Sequence, residues 1–198
     1  MTACDEKAAI RRQLLCRRRL LGRSEWLQMS AAIQAHLMEM PEVRSASKVH
    51  CYVSMEDERE VSTIGLLEWL HSERKMVCMP YIDRGCMVVA TYRQGQSFSI
   101  PVNGPPVPTP VVTTDEIDFD LVIVPLVGAD PKGCRLGYGK GWYDRFFDRL
   151  GALGVHPLRI GLAFGFQVLD ALPSDPWDQL LDMVVTEKGL INCMDGRA

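Results

Sequence analysis

The sequence lacks several features that would narrow the function of a 198-residue chain. Its seven cysteines include no C-x-x-C pair, and their number is odd, so neither a disulfide framework nor a zinc site is indicated. The longest apolar run, at residues 120–129, is shorter than the roughly 18 residues that a membrane-spanning helix needs. A net charge of only -3 gives no general attraction for nucleic acid or anionic lipid. We therefore expect reduced thiols, no membrane and no nucleic-acid partner.

The chain start and the composition indicate an ordinary globular protein. The opening MTACDEKAAIRRQ lacks the apolar core and cleavage site of a secretory signal, which predicts a cytoplasmic location. Hydrophobic residues make up 47% and charged residues 24%, as in typical folded domains. The length suits one continuous core. We expect a single domain over residues 1–198 and a monomer.

Apolar periodicity predicts alternating strands and helices. A basic amphipathic helix opens the chain, and a second helix begins at Ser24, whose hydroxyl can cap it, and ends before Pro41. Short apolar runs predict strands at residues 48–53, 76–80, 87–92, 121–126, 159–164 and 181–186, with further helices at 62–72 and 141–150. This alternation predicts an α/β fold, a mainly parallel sheet flanked by helices in a Rossmann-like three-layer arrangement. Ligands are expected at the carboxyl ends of its strands.

Prolines cluster between the third and fourth predicted strands. Five of the twelve prolines lie between residues 101 and 110. Such a cluster predicts a long, structureless surface loop at about residues 93–117.

The most informative segment is the glycine-rich stretch at residues 135–145, RLGYGKGWYDR, which follows a buried-type strand and opens a helix. Alternating glycines let the backbone approach an anion, and the helix start offers free amides and a positive dipole end. Arg135 and Lys140 add positive charge that suits phosphate. The stretch fits neither the Walker motif nor the dinucleotide fingerprint. Spacing alone thus leaves two readings, an anion-binding loop or a tight strand-to-helix turn.

The sequence resembles the 5-formyltetrahydrofolate cyclo-ligase family, also called methenyltetrahydrofolate synthetase. The pattern RLGxGxGxYDR after a strand ending in PxxGxD is typical of that family, and here it reads PLVGAD and then RLGYGKGWYDR. Further matches are VSMEDEREVST after the first predicted strand, GLAF at residues 161–164 and D-x-x-x-D-x-x-x-T-E at residues 178–187. The resemblance implies that ATP and Mg²⁺ drive closure of 5-formyltetrahydrofolate to 5,10-methenyltetrahydrofolate, with release of ADP and phosphate. The implied partner is this small-molecule substrate, with or without a polyglutamate tail.

The resemblance also implies a set of site residues. Arg135, Lys140 and Tyr143 are expected to be catalytic, and Asp144 and Asp182 to bind Mg²⁺. The expected ATP contacts are Lys7, Arg11, Arg135, Leu136, Gly137, Tyr138, Gly139, Lys140, Gly141, Trp142 and Tyr143. The expected folate contacts are Val53, Glu58, Tyr138, Gly139, Lys140, Gly141 and Trp142, while Glu56, Asp57 and Glu60 are interpreted as solvated loop residues.

Two departures from the family pattern keep other interpretations open. Trp177 stands where many members have His, and Tyr138 stands where others offer Arg or Met. One alternative is a folate-binding relative without turnover. Another is a sugar-phosphate enzyme of similar α/β design, and a weaker one is an RNA-binding protein that uses the basic first helix, whose remaining arginines are otherwise a solvated face.

Overall fold

The computed structural model describes residues 3–101 and 104–194. Its α-helices are α1 (Ala3–Arg19), α2 (Arg23–Glu39), α3 (Pro41–Ser45), α4 (Ile64–Ser72) and α5 (Trp142–Ala152). Its strands are β1 (Lys48–His50), β2 (Met76–Asp83), β3 (Cys86–Tyr92), β4 (Ser97–Ser99), β5 (Val107–Thr109), β6 (Thr113–Thr114), β7 (Leu121–Val124), β8 (Gly128–Ala129), β9 (Arg135–Leu136), β10 (Leu158–Leu162), β11 (Met183–Thr186) and β12 (Gly189–Asn192).

A central sheet has the strand order β12-β11-β10-β7-β1-β2-β3-β6. The five inner strands, from β11 to β2, pair in parallel, whereas β12, β3 and β6 join antiparallel at the edges. The parallel centre places the carboxyl ends of β1, β2, β7, β10 and β11 along one edge of the sheet. The predicted mainly parallel α/β fold is thus confirmed.

Both faces of the sheet are covered, which gives three layers. Leu121 and Ile123 of β7 pack with residues of α2 and α4, including Leu37, in one buried cluster. The alternating Val122 and Val124 pack with Phe146, Phe147 and Leu150 of α5 in the other. Because side chains alternate across a strand, the four buried residues LVIV supply both cores.

Two local predictions are wrong. Ser24 does not cap α2, because the helix begins at Arg23 with Gly22 at the capping position and without a side-chain cap bond. The proline-rich segment at about 93–117 is not structureless. There β4 pairs with β5, β6 pairs with β3, and Val107 is buried. Backbone pairing and the burial of Val107 give this segment an ordered structure, although its local sequence is typical of a loop.

Within residues 3–101 and 104–194, no helix is both long enough and apolar enough to cross a bilayer.

Two leucines of α2 provide a matched test of the sheet–helix core. Leu37 is 0% exposed and Leu27 is 43% exposed. Leu37→Ala leaves a cavity, so we expect it to lower the free energy of unfolding by about 2–5 kcal/mol. Leu27→Ala should cost less than about 1 kcal/mol. Urea unfolding of both variants measures the difference, and equal losses would contradict this packing.

Candidate active site

A cleft of about 810 Å³ opens at the carboxyl edge of the sheet. Tyr52 and Val53, which follow β1, and Pro125, which follows β7, form part of its wall. The glycine-rich stretch at residues 135–145 forms another wall. The position agrees with the expectation that ligands of parallel sheets bind beyond the strand carboxyl ends.

The glycine-rich stretch is shaped by a short hairpin and a buried aspartate. β8 pairs with β9, and the N–H of Val127 donates to the Leu136 carbonyl at 2.7 Å. Asp130 accepts hydrogen bonds from the N–H groups of Lys132, Cys134 and Leu172 at 2.9, 3.0 and 2.9 Å. Its carboxylate therefore fixes the turn that leads into the glycines.

Two glycines of this stretch adopt backbone conformations that other residues rarely take. Gly139 has φ +86°, and a side chain there would lie 3.5 Å from the guanidinium of Arg11. Gly141 has φ +63° and caps α5, whose start carries no side-chain cap bond. The first-turn amides of α5 are thus oriented as in anion-binding helix starts.

Arg135 and Asp144 form an ion pair at the cleft wall. Arg135 Nη2 donates to Asp144 Oδ1 at 2.6 Å, and the Arg135 side chain is 5% exposed. The same Asp144 oxygen accepts from the Gln179 N–H at 3.2 Å. Arg135 Nε is buried and has no hydrogen-bond partner among the described residues. The arrangement holds one guanidinium N–H available next to the start of α5.

α1 lies along the cleft and brings basic side chains to it. Arg11 Nε donates to the Gly137 carbonyl at 2.8 Å. Lys7 Nζ contacts the carboxylates of Asp175 and Asp178 at 2.7 and 2.6 Å. Partial burial lowers the pKa of Lys7, but the two carboxylates outweigh it and raise the pKa above its ordinary value. Lys7 therefore ties the segment around residues 175–178 to α1.

A buried polar network lies near the opposite end of α1. Arg18 is 1% exposed, and its Nη2 donates to the Tyr138 hydroxyl, which in turn donates to Glu60 Oε1 at 2.6 Å. Arg18 Nη1 and Nε donate to the carbonyls of Leu126 and Glu58 at 3.1 and 2.7 Å. One guanidinium thus joins α1, the segment after β7, the acidic loop at residues 54–61 and the glycine-rich stretch.

The carboxylate of the acidic loop that lines the cleft is Glu60, not Glu58. Glu58 is paired with Arg19 at 2.7 Å outside the cleft lining. Glu60 is 3% exposed and accepts from the Met55 N–H at 2.7 Å as well as from Tyr138. Burial raises the pKa of Glu60, an effect that Arg18 opposes. The interpretation of Glu60 as a solvated loop residue is wrong.

The other predicted residues are also brought to the cleft, with one exception. Lys140 is exposed at its wall, and Trp142 and Tyr143 line it. The Tyr143 ring also packs against Phe146 and Phe147, and burial raises the pKa of its hydroxyl. The cleft-lining residues that had been predicted are Lys7, Arg11, Val53, Arg135, Leu136, Gly137, Tyr138, Gly139, Lys140, Gly141, Trp142, Tyr143 and Asp144.

The exception is Asp182, which, like Glu58, does not line the cleft. It precedes β11 and accepts from the Arg159 N–H at 2.9 Å, where β10 begins. Since β10 and β11 are parallel, this places Asp182 at the amino edge of the sheet, away from the cleft. Asp144 and Asp182 therefore do not form a shared carboxylate pair in the cleft. In the described part of the chain, no group of three or more His, Cys, Asp or Glu residues is arranged to hold a metal.

Arg18, Glu60, Asp175 and Asp178 were not predicted as site residues. A signal for Arg18 exists in the sequence. Lys7, Arg11, Leu14 and Arg18 are spaced by four, three and four residues and so share one helix face. The burial of Glu60 has no such local signal.

The fold and the cleft define a three-layer α/β protein with a glycine-rich loop beside a buried carboxylate. A model of the 5-formyltetrahydrofolate cyclo-ligase family matches residues 3–187. The chain belongs to this family of enzymes, which confirms the resemblance drawn from its motifs.

Individual relatives agree with this assignment. The probable 5-formyltetrahydrofolate cyclo-ligase of Schizosaccharomyces pombe is 30% identical over 176 residues, which cover 82% of this chain and 85% of the relative. The 5-formyltetrahydrofolate cyclo-ligase of Escherichia coli K12 is 28% identical over 177 residues, covering 86% and 94%. The solved 5,10-methenyltetrahydrofolate synthetase of Aquifex aeolicus has a TM-score of 0.82 and 30% identity, covering 97% of this chain and 95% of that one.

The Tyr138 hydroxyl allows a test of the buried network. Tyr138→Phe leaves an Arg18 N–H and a Glu60 oxygen without their shared partner. We expect a loss of about 1–3 kcal/mol in the free energy of unfolding. The control is Tyr81→Phe, because Tyr81 is a half-buried tyrosine of β2 that lies outside the network. Urea unfolding decides, and no difference between the two variants would contradict the network.

Proposed function

We propose that the protein uses ATP and Mg²⁺ to convert 5-formyltetrahydrofolate to 5,10-methenyltetrahydrofolate, releasing ADP and phosphate. The observation that carries this proposal is one cleft in which the glycine-rich loop at residues 135–145, with Arg135 and Lys140, lies beside a buried carboxylate, Glu60. Membership of the cyclo-ligase family supports the same substrate class. We further propose that the enzyme is a cytoplasmic monomer.

The nucleotide phosphates are proposed to bind at the glycine-rich stretch. Arg135 Nε is a buried donor without an acceptor among the described residues, and phosphate oxygens are suitable acceptors. The amides at the start of α5 and the exposed Lys140 add donors and charge. Arg11 lies against Gly139, so its guanidinium borders the same space.

Magnesium is proposed to bind at Asp144, beside these phosphates. Mg²⁺ commonly uses one or two carboxylates, with water and phosphate oxygens completing its shell. Asp144 is the carboxylate paired with Arg135 at the cleft wall, so it fits this role. Asp182 lies at the other edge of the sheet, and the proposal does not depend on it.

The folate ring is proposed to lie at the Glu60 end of the cleft. The pterin amino group and ring N–H form a donor pair that a carboxylate can accept. Glu60 lines the cleft with Val53, whereas Glu58 faces Arg19. We therefore place the folate-recognising carboxylate at Glu60, with Val53 and Trp142 packing against the planar ring.

The chemistry requires ATP because a formamide oxygen is a poor leaving group. ATP supplies a phosphoryl group to the formyl oxygen, and the bond from the γ-phosphorus to ADP breaks. The folate nitrogen N10 then attacks the formyl carbon, the carbon–oxygen bond breaks with release of phosphate, and N10 loses its proton.

Residues of the loop neutralise charge and orient the groups during these steps. Arg135 and Lys140 line the cleft, and their role in the proposal is to neutralise the charge that develops on the transferred phosphoryl group. Burial raises the pKa of the Tyr143 hydroxyl, so it stays protonated at neutral pH and can donate a hydrogen bond to an oxygen in the cleft. The position of Asp144 is fixed by Arg135 and by the Gln179 N–H.

The proposed activity is tested directly by absorbance. Purified protein mixed with 5-formyltetrahydrofolate, ATP and Mg²⁺ should form the methenyl product, and omission of ATP should abolish it. Arg135→Ala should lower turnover by about 100-fold, as removal of one charge-stabilising donor does in other enzymes. Substrate binding without ADP release in the wild-type protein would identify a non-catalytic relative instead.

Two glutamates separate the folate assignment from its neighbour. Glu60→Gln should raise KM for 5-formyltetrahydrofolate by about tenfold, because a charged hydrogen-bond acceptor is lost, and should leave KM for ATP within about twofold. Glu58→Gln, the matched control, should change neither value by more than about twofold. Steady-state kinetics of both variants settle the choice, and a folate defect confined to Glu58→Gln would reverse it.

A further inference from the structure

Trp177 is a large aromatic side chain that is 69% exposed and lines the cleft. Trp177 does not contribute to core packing, because it belongs to neither buried cluster. An exposed apolar side chain alone is ordinary on a protein surface. Its meaning here depends on how firmly it is held and on what lies beside it.

The segment that carries Trp177 has little regular structure, yet it is held on both sides. Before Trp177, the N–H of Asp175 donates to Asp178 Oδ2 at 2.8 Å, and Lys7 bridges both carboxylates. After it, the Gln179 N–H donates to Asp144 at 3.2 Å. The indole is therefore presented to the cleft by a tethered backbone.

The length of α1 separates the two ends of the cleft. Lys7 contacts the segment around Trp177, whereas Arg18 contacts the Tyr138–Glu60 pair. Eleven residues of helix span about 16 Å at 1.5 Å per residue. Between these two points lies the glycine-rich stretch, which Arg11 contacts through Gly137.

This order along the cleft assigns a ligand to Trp177. With phosphates at the glycine-rich stretch and folate at the Glu60 end, the group beyond the phosphates on the Lys7 side is the nucleoside. We propose that Trp177 is the stacking platform for the purine base of the bound nucleotide, held in place by the Lys7 bridge to Asp175 and Asp178. The inference rests on the proposed function for its phosphate position. Stacking between an aromatic side chain and a base provides enough affinity to measure.

Calorimetric binding to three probes tests the proposal. The probes are ATP, tripolyphosphate, which lacks the base, and 5-formyltetrahydrofolate. Trp177→Ala should weaken ATP binding by roughly tenfold and leave tripolyphosphate binding unchanged. Trp177→Phe keeps an aromatic face and should bind ATP within about threefold of wild type. Thermal unfolding should show both variants folded, since the side chain is largely exposed.

Intrinsic fluorescence gives a second readout. ATP should quench the wild-type emission, and Trp69→Phe should retain that quench, because Trp69 of α4 lies outside the cleft lining. Trp177→Phe should lose most of it, leaving only the contribution of Trp142. A full quench in Trp177→Phe would overturn the proposal.

The outcomes separate this inference from the proposed function. Unchanged ATP affinity in Trp177→Ala, or equal weakening of ATP and tripolyphosphate, overturns base stacking. Weakened 5-formyltetrahydrofolate binding with unchanged ATP binding also overturns it and assigns Trp177 to the folate side. Each of these results leaves the methenyl assay intact as the test of the reaction. Conversely, wild-type protein that binds ATP but forms no methenyl product fails the proposed function and leaves the stacking test valid.

Discussion

The guanidinium of Arg18 is a buried cation on which the geometry of the cleft depends. Burial of a charge is expensive unless its hydrogen bonds are satisfied. Arg18 meets this condition by donating to Glu58, Leu126 and Tyr138, which belong to different segments of the chain. Because each acceptor must be in place, the network couples α1, the acidic loop, the segment after β7 and the glycine-rich stretch into one arrangement.

α1 connects the parts of the site along its length. Its single face carries Lys7 at one end, Arg11 in the middle and Arg18 at the other end, and each contacts a different part of the cleft. The basic residues of this helix therefore hold different segments of the cleft in place: Lys7 holds the segment at residues 175–178, and Arg11 and Arg18 hold the glycine-rich stretch. The proposed order of base, phosphates and folate follows this face, with Arg135 and Asp144 at the centre where phosphoryl transfer is proposed.

Features that depend on local sequence could be predicted. The buried run of β7, the glycines after it and the start of α5 are all encoded within a few residues, and the structure places them as expected. The prediction of a structureless proline-rich segment is wrong because the segment is ordered by the pairing of β4 with β5 and of β6 with β3. Such pairing is not visible in composition.

Features that depend on tertiary contacts could not be predicted. The spacing from Lys7 and Arg11 places Arg18 on a different helix face from Arg17 and Arg19, but its burial depends on how α1 packs. Glu58 and Glu60 are likewise separated by a turn in which Arg59 takes φ +51°. A non-glycine residue rarely adopts this conformation, so the sequence pattern does not predict that the chain reverses here and directs Glu60 toward the cleft.

In the proposed reaction, a nucleotide phosphate and the folate formyl group meet in this cleft. The most direct measurement follows the formyl oxygen itself, using 5-formyltetrahydrofolate labelled with ¹⁸O and mass analysis of the released phosphate. We expect one labelled oxygen in each phosphate released with a methenyl product. Unlabelled phosphate, with the ¹⁸O recovered in water, would contradict it.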